Sequence, residues 1–175
     1  MLGDYYHRIP TKASERKRMR LTLQTDYALR VLMYVGLKRD ELATVAEIVR
    51  RFDISEGHVM KVVHRLAQLG YVQTLRGKNG GIRLAREPGA ITAGAVVRDV
   101  EPELGVLGCL QDRSGYCRIE ECCVLRCALR EATSAFLATL DRYTLADLMA
   151  PRQALSMVLQ LNVAHGGVSP PSAPH

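Results

Sequence analysis

Residues 44–84 read TVAEIVRRFDISEGHVMKVVHRLAQLGYVQTLRGKNGGIRL. Thr44 and Glu47 form a Thr-x-x-Glu capping box, which predicts a short helix from Thr44 to about Arg51 with Val45, Ile48 and Val49 inward. Phe52, Asp53 and Ile54 make a tight turn. Ser55 is placed to cap a third helix that Gly70 ends. Its apolar positions are Val59, Val62, Val63, Leu66 and Leu69, and its polar face shows Ser55, Glu56, His58, Lys61 and Arg65. Residues 71–76 and 82–85 alternate apolar with polar around Gly-Lys-Asn-Gly-Gly, the pattern of a hairpin. A helix pair with a basic polar face, followed directly by a hairpin, is a winged helix-turn-helix and points to DNA.

Upstream, a helix is expected from a Thr25 cap, with Ala28, Leu29, Val31, Leu32, Val35 and Gly36 on its apolar face. Met33 and Met60 read as core. Residues 1–18 lack an apolar period and read as a disordered basic extension, with Met19 opening the better-formed sequence. Downstream, Pro88-Gly89 breaks the chain and Thr92–Glu101 reads as a helix. A long helix follows at about Val124–Tyr143, with an apolar stripe of Leu125, Leu129, Ala132, Phe136, Leu137 and Leu140. So long a stripe needs cover, and a second copy of the chain is the expected mate, giving a homodimer. A shorter helix lies within Leu145–Leu161, broken by Pro151, and residues 163–175 read as a disordered tail. The fold class is therefore mostly α with a small β-hairpin wing: a winged helix-turn-helix plus a long dimerisation helix. The units are residues 1–18, the DNA-binding domain at 19–88, a linker helix and cysteine loop at 89–123, helices at 124–162 and a tail at 163–175.

Charge divides along the same lines. Residues 19–86 carry twelve Lys/Arg against six Asp/Glu, and residues 87–175 carry seven against ten. The basic half suits a polyanion and leaves the acidic half for another task. No run of eighteen apolar residues exists, so no membrane span is expected. There is no Ser/His/Asp set, P-loop or HExxH, which argues against an enzyme.

All five cysteines fall in CLQDRSGYCRIEECCVLRC, residues 109–127. Thiolates are soft ligands, and several so close can close round one metal centre. No CxxC pair is present, unlike most zinc knuckles. The odd count and the missing signal peptide argue against a disulfide staple and for the cytoplasm. Free thiols packed as small apolar residues are the other reading.

MRLTLQTDYALRVLMYV from Met19, RGKNGGIRL from Arg76, VVRDVEPEL from Val96, the cysteine loop, ALREA and DRYTLADL together resemble the bacterial iron–sulfur winged-helix regulators of the IscR, RirA and NsrR type. The resemblance spans about residues 19–148 and is closest to the nitric-oxide-sensing branch. It implies an iron–sulfur-dependent repressor, released from double-stranded operator DNA when nitric oxide attacks its cluster. The implied ligands are Cys109, Cys117 and Cys123, spaced C-x7-C-x5-C, with Asp26 from the other subunit completing the site. Cys122 adjoins Cys123 and competes for the same position. Arg126 stands where the IscR type places a histidine, which argues against that mode. A 4Fe–4S cluster is expected ahead of 2Fe–2S. On DNA, Ser55, His58, Lys61 and Arg65 are expected in the major groove, and Arg76, Lys78 and Asn79 at a minor groove or flanking phosphates. Arg20 adds a phosphate contact, while His64 reads as a packed or surface histidine. An iron-responsive regulator of the same family, or a zinc- or thiol-based redox regulator, are the alternatives.

Overall fold

A computed structural model describes residues 21–38, 41–101, 119 and 122–161. The expected disordered ends, Arg20, Cys109 and Cys117 lie outside the described residues.

The first helix, α1 (Leu23–Leu37), is the centre of the core. Ala28, Val31, Leu32, Tyr34, Val35 and Leu37 are all 5% exposed or less. Burying a side chain of this size stabilises by roughly 1.5–3 kcal/mol, so α1 is held by what surrounds it rather than by its own propensity. Its N-cap is Thr22, not the expected Thr25: the Thr22 hydroxyl accepts the Thr25 N–H at 3.4 Å. Thr25 lies inside the helix and is fully buried. The helix starts early because a distant group helps it, the Glu101 carboxylate accepting the Thr22 N–H at 2.6 Å.

The helix pair forms as expected. The capping box at Thr44 and Glu47 is complete, and α2 (Val45–Phe52) ends at Asp53 in the left-handed region. Helix α3 (Glu56–Gln68) buries Val59, Val62, Val63 and Leu66 against α1 and α2. Gly70, at φ +72°, closes it, and the Tyr71 N–H returns to the Leu66 carbonyl at 2.9 Å. Met33 packs against the core. Met60 does not; it is 55% exposed, because it stands about 100° round α3 from Val59 and off the buried stripe.

Strands β1 (Val72–Leu75) and β2 (Gly81–Leu84) pair antiparallel, with Thr74 opposite Ile82. Ala43 exchanges two backbone hydrogen bonds with Ile82, which anchors the hairpin to the α1–α2 connection. Gly81 is required there: a Cβ would stand 2.6 Å from the Leu42 Cβ and 2.8 Å from the Ala43 carbonyl oxygen.

Helix α4 (Ala93–Val100) is capped by Thr92 and packs on α1. The long helix α5 (Val124–Asp141) rests on α4, where Gly94 leaves room for Asp141, and Arg98 pairs with that carboxylate. No residue of α5 is fully buried. Its expected stripe divides: Leu129, Leu137 and Leu140 are half-buried, while Leu125, Ala132 and Phe136 are exposed. Two short helices, α6 (Leu145–Leu148) and α7 (Arg152–Val158), return to the core, and Arg152 donates to the Leu37 carbonyl at the end of α1. Among the described residues no helix is long and apolar enough to cross a membrane.

A partly buried ion pair joins the end of α1 to α2. Lys38 Nζ lies 2.8 Å from Glu47 Oε1 and also donates to the Leu42 carbonyl. Burial opposes both charges, but the hydrogen bond between them wins: the Lys38 ammonium is held above its ordinary pKa and the Glu47 carboxyl below its own. The carboxyl therefore stabilises the fold above its ordinary value of 4.5, and that contribution is lost as pH falls through the lowered folded value. Lys38 contributes below 10.5 and loses its share as pH rises through its raised value. Glu47→Gln should flatten the acid limb of a Tm-against-pH curve. An acid limb identical to wild type would show that the pair contributes nothing.

Candidate nucleic-acid interface and cysteine site

Helical spacing decides which part of α3 faces outward. Gly57, Lys61, His64 and Gln68 are all exposed and lie along one line opposite the buried stripe. His58 and Arg65 flank that line on one side and Met60 on the other. His64 and Gln68 are joined by a hydrogen bond of 3.1 Å between their side-chain nitrogens. His64 thus stands at the surface, one of the two places the sequence allowed it, on the same line as Lys61.

Ser55 stands at the N-cap of α3, but its hydroxyl does not cap the backbone. It meets His58 Nδ1 at 2.7 Å, which leaves Nε2 as the outward nitrogen of that ring. The His58 ring packs against Tyr27 of α1 at 5.9 Å between centroids. Between the two helices runs an open groove of about 520 Å³, lined by Thr22, Gln24, Tyr27, His58, Lys61 and apolar neighbours. Among the described residues that line it there is no carboxylate, and the Lys61 ammonium favours an anion there. Gln24 and Tyr27 went unnoticed in the sequence because only folding brings α1 beside α3.

Arg65 is engaged within the protein: its guanidinium donates to the Asp99 carbonyl at 3.0 Å. At the hairpin tip Arg76, Lys78 and Asn79 are exposed. Gly77 there has φ +110°, a backbone conformation that favours glycine. Arg83 donates through two nitrogens to Gln73 Oε1 across the hairpin, adding a further cation to the wing.

Asp26 lies in the first turn of α1, half-exposed, where a carboxylate suits the helix dipole. Its two oxygens accept from Arg30 at 3.0 Å and 2.8 Å, a two-point pair four residues along the helix. At the start of α5, Cys123 is a half-exposed free thiol, and Cys122 and Cys127 are exposed free thiols. Among the described residues no three ligating side chains converge on one point. The donor chemistry nonetheless suits an iron–sulfur cluster: free thiols at a helix start and a solvent-accessible carboxylate are groups that iron accepts.

The Rrf2 family, described as an iron-dependent transcriptional regulator, matches residues 21–151. The chain is 47% identical over 143 residues to the HTH-type transcriptional regulator NsrR of Geobacillus kaustophilus (strain HTA426), covering 81% of this chain and 97% of that protein. It is 42% identical over 144 residues to the NsrR of Bacillus subtilis (strain 168), covering 82% and 99%. The solved structure of CymR, the global cysteine regulator of B. subtilis, superimposes with a TM-score of 0.62 at 25% identity, covering 77% of this chain and 98% of that one.

Lys61→Ala should weaken binding to every duplex to a similar degree and lower the slope of log affinity against log salt by about 1, the mark of one lost phosphate contact. Equilibrium titration at several salt concentrations reads this. An unchanged slope would remove Lys61 from the interface.

Proposed function

The chain belongs to the Rrf2 family of transcriptional regulators, and from that premise we propose that it is a homodimeric, cytoplasmic, iron–sulfur-dependent repressor that nitric oxide releases from operator DNA. The observation that carries this reading is the double attachment of the first turn of α1. On one side it meets the recognition helix through Tyr27 and His58. On the other, Glu101, at the entry to the cysteine-bearing segment, holds its first free N–H. The identity to NsrR proteins over most of the chain supports the choice of signal.

On DNA, α3 enters the major groove with Lys61, His64, Gln68 and His58 outward, and Ser55 fixes the ring of His58. Gln24 and Tyr27 follow the backbone of one strand along the groove beside α3. Arg76, Lys78, Asn79 and Arg83 contact the flanking minor groove or phosphates. Two copies, joined through α5, set the two recognition helices about one DNA turn apart. The exposed Val124, Leu125 and Phe136 on an otherwise half-covered helix support that joint.

Cys109, Cys117 and Cys123 would hold the cluster as thiolates, with Asp26 of the partner subunit completing the site. When bound, the cluster supplies iron that reacts with nitric oxide. A carboxylate is a harder and more weakly held ligand for iron than a thiolate, so Asp26 would be the exchangeable position of the set. Arg30 holds both of its oxygens whenever Asp26 is not a ligand, the pairing the isolated chain adopts. Asp26 would thereby couple the first turn of α1 to the other subunit, and with it the angle between the two winged helices.

The test is anaerobic purification, followed by an absorption spectrum and a DNA-binding titration on one sample before and after nitric oxide. The expected result is a brown protein whose visible band bleaches and whose DNA affinity falls together. A brown protein indifferent to nitric oxide that loses DNA on iron chelation would make it an iron-responsive regulator. A colourless protein that binds DNA equally well would overturn the cluster.

A further inference from the structure

Asp99, in the last turn of α4, sits ten residues before Cys109 and two before Glu101. It makes two contacts with the DNA-reading half. Its carboxylate accepts the Tyr71 hydroxyl at 2.6 Å, and its backbone carbonyl accepts Arg65 at 3.0 Å. Tyr71 is 1% exposed and stands between Gly70, which closes α3, and Val72, which opens β1. The Arg86 guanidinium lies over the Tyr71 ring, 4.7 Å from its centroid, and donates to the Leu69 carbonyl at 2.8 Å. The end of the recognition helix, both sides of the hairpin base and the end of α4 thus meet at one point.

We propose that Asp99 and Tyr71 are positioning residues for DNA binding, the joint through which a change at the cysteine segment reaches the recognition helix and the wing. This rests on the reading that the cluster sets DNA affinity. The physical case is stiffness. A buried tyrosine hydroxyl needs a partner, and a carboxylate partner makes the bond short and strong. Burial first, and then the bond to Asp99, push the Tyr71 phenol well above its ordinary pKa, so the hydroxyl keeps its proton throughout the working range. With Arg65 fixed to the same residue, the end of α4 cannot shift without carrying the last turn of α3 with it. Packed joints of this kind move between discrete arrangements and do not yield gradually. The neighbouring Glu101 holds α1 in the same way, so the end of α4 grips the DNA-binding unit at two places.

The test uses the full chain, reconstituted anaerobically with its cluster and, separately, stripped by a chelator. The probe is a fluorescent duplex selected from a random pool by the wild-type protein. The wild-type ratio of DNA affinities between the two forms is expected to be about 10-fold or more, within the usual span of coupled sites. Tyr71→Phe keeps the ring and its Arg86 contact and removes only the hydroxyl. It should bring the ratio to about twofold or less, with the cluster spectrum unchanged and the Tm lowered by only a few degrees. Asp99→Asn keeps an oxygen for Tyr71 and the carbonyl for Arg65, and should give an intermediate ratio. A wild-type ratio preserved in Tyr71→Phe overturns the proposal alone. A wild-type ratio of one overturns it together with the cluster reading.

Discussion

The burial of α1 is the constraint on which the rest depends. Val31 and Leu32 are wholly excluded from solvent, and the helix touches α3, α4, β2 and α6. A helix enclosed on so many sides cannot rotate or slide without opening the core. Its first turn is the exception. Leu23 is 66% exposed there, and the turn is held by polar contacts: the Thr22 cap, the Glu101 carboxylate and the Asp26–Arg30 pair. One helix therefore has a rigid body and an end whose polar partners can be exchanged. That division suits a regulator, because the body keeps the winged helix intact while the end reports on something else.

The two ends of the recognition helix are held differently. At its start the Ser55–His58 bond and the Tyr27 ring lie beside an open groove whose described lining residues include no carboxylate. At its end Tyr71, Asp99, Arg65 and Arg86 form a partly buried polar joint. The first arrangement leaves side chains free to meet phosphates and bases. The second fixes the helix to α4, and α4 carries α5 through Arg98 and Asp141. Named hydrogen bonds thus link α3 to α4 and α4 to α5.

What the sequence made legible is what neighbours in sequence decide. The capping box at Thr44, the left-handed Gly70 and the hairpin about Gly77 each follow from a few adjacent residues, and each appears where expected. The family resemblance and the helix-turn-helix pattern carried the fold. What failed depended on distant partners. Thr22, not Thr25, caps α1 because Glu101 supports it from 79 residues away. Ser55 turns to His58 instead of the backbone. Gln24 and Tyr27 come beside His58 and Lys61 only in three dimensions. The stripe on α5 was legible as apolar, but its halves separate because, among the described residues, α4 covers one side.

The central claim is that the first turn of α1 in one subunit completes the metal site of the other. Mixed dimers test it most directly. One chain carries Asp26→Ala and the other Cys109→Ser, each with a different tag, and tandem purification isolates the mixed species. If ligation crosses the subunits, one site pairs intact cysteines with an intact Asp26 while the other lacks both. The mixed dimer should then recover about half the wild-type cluster absorption per dimer, since a two-fold assembly has two equivalent sites, and neither parent homodimer should match wild type. A mixed dimer as deficient as its parents, or an Asp26→Ala homodimer with wild-type absorption and stability, would contradict the account.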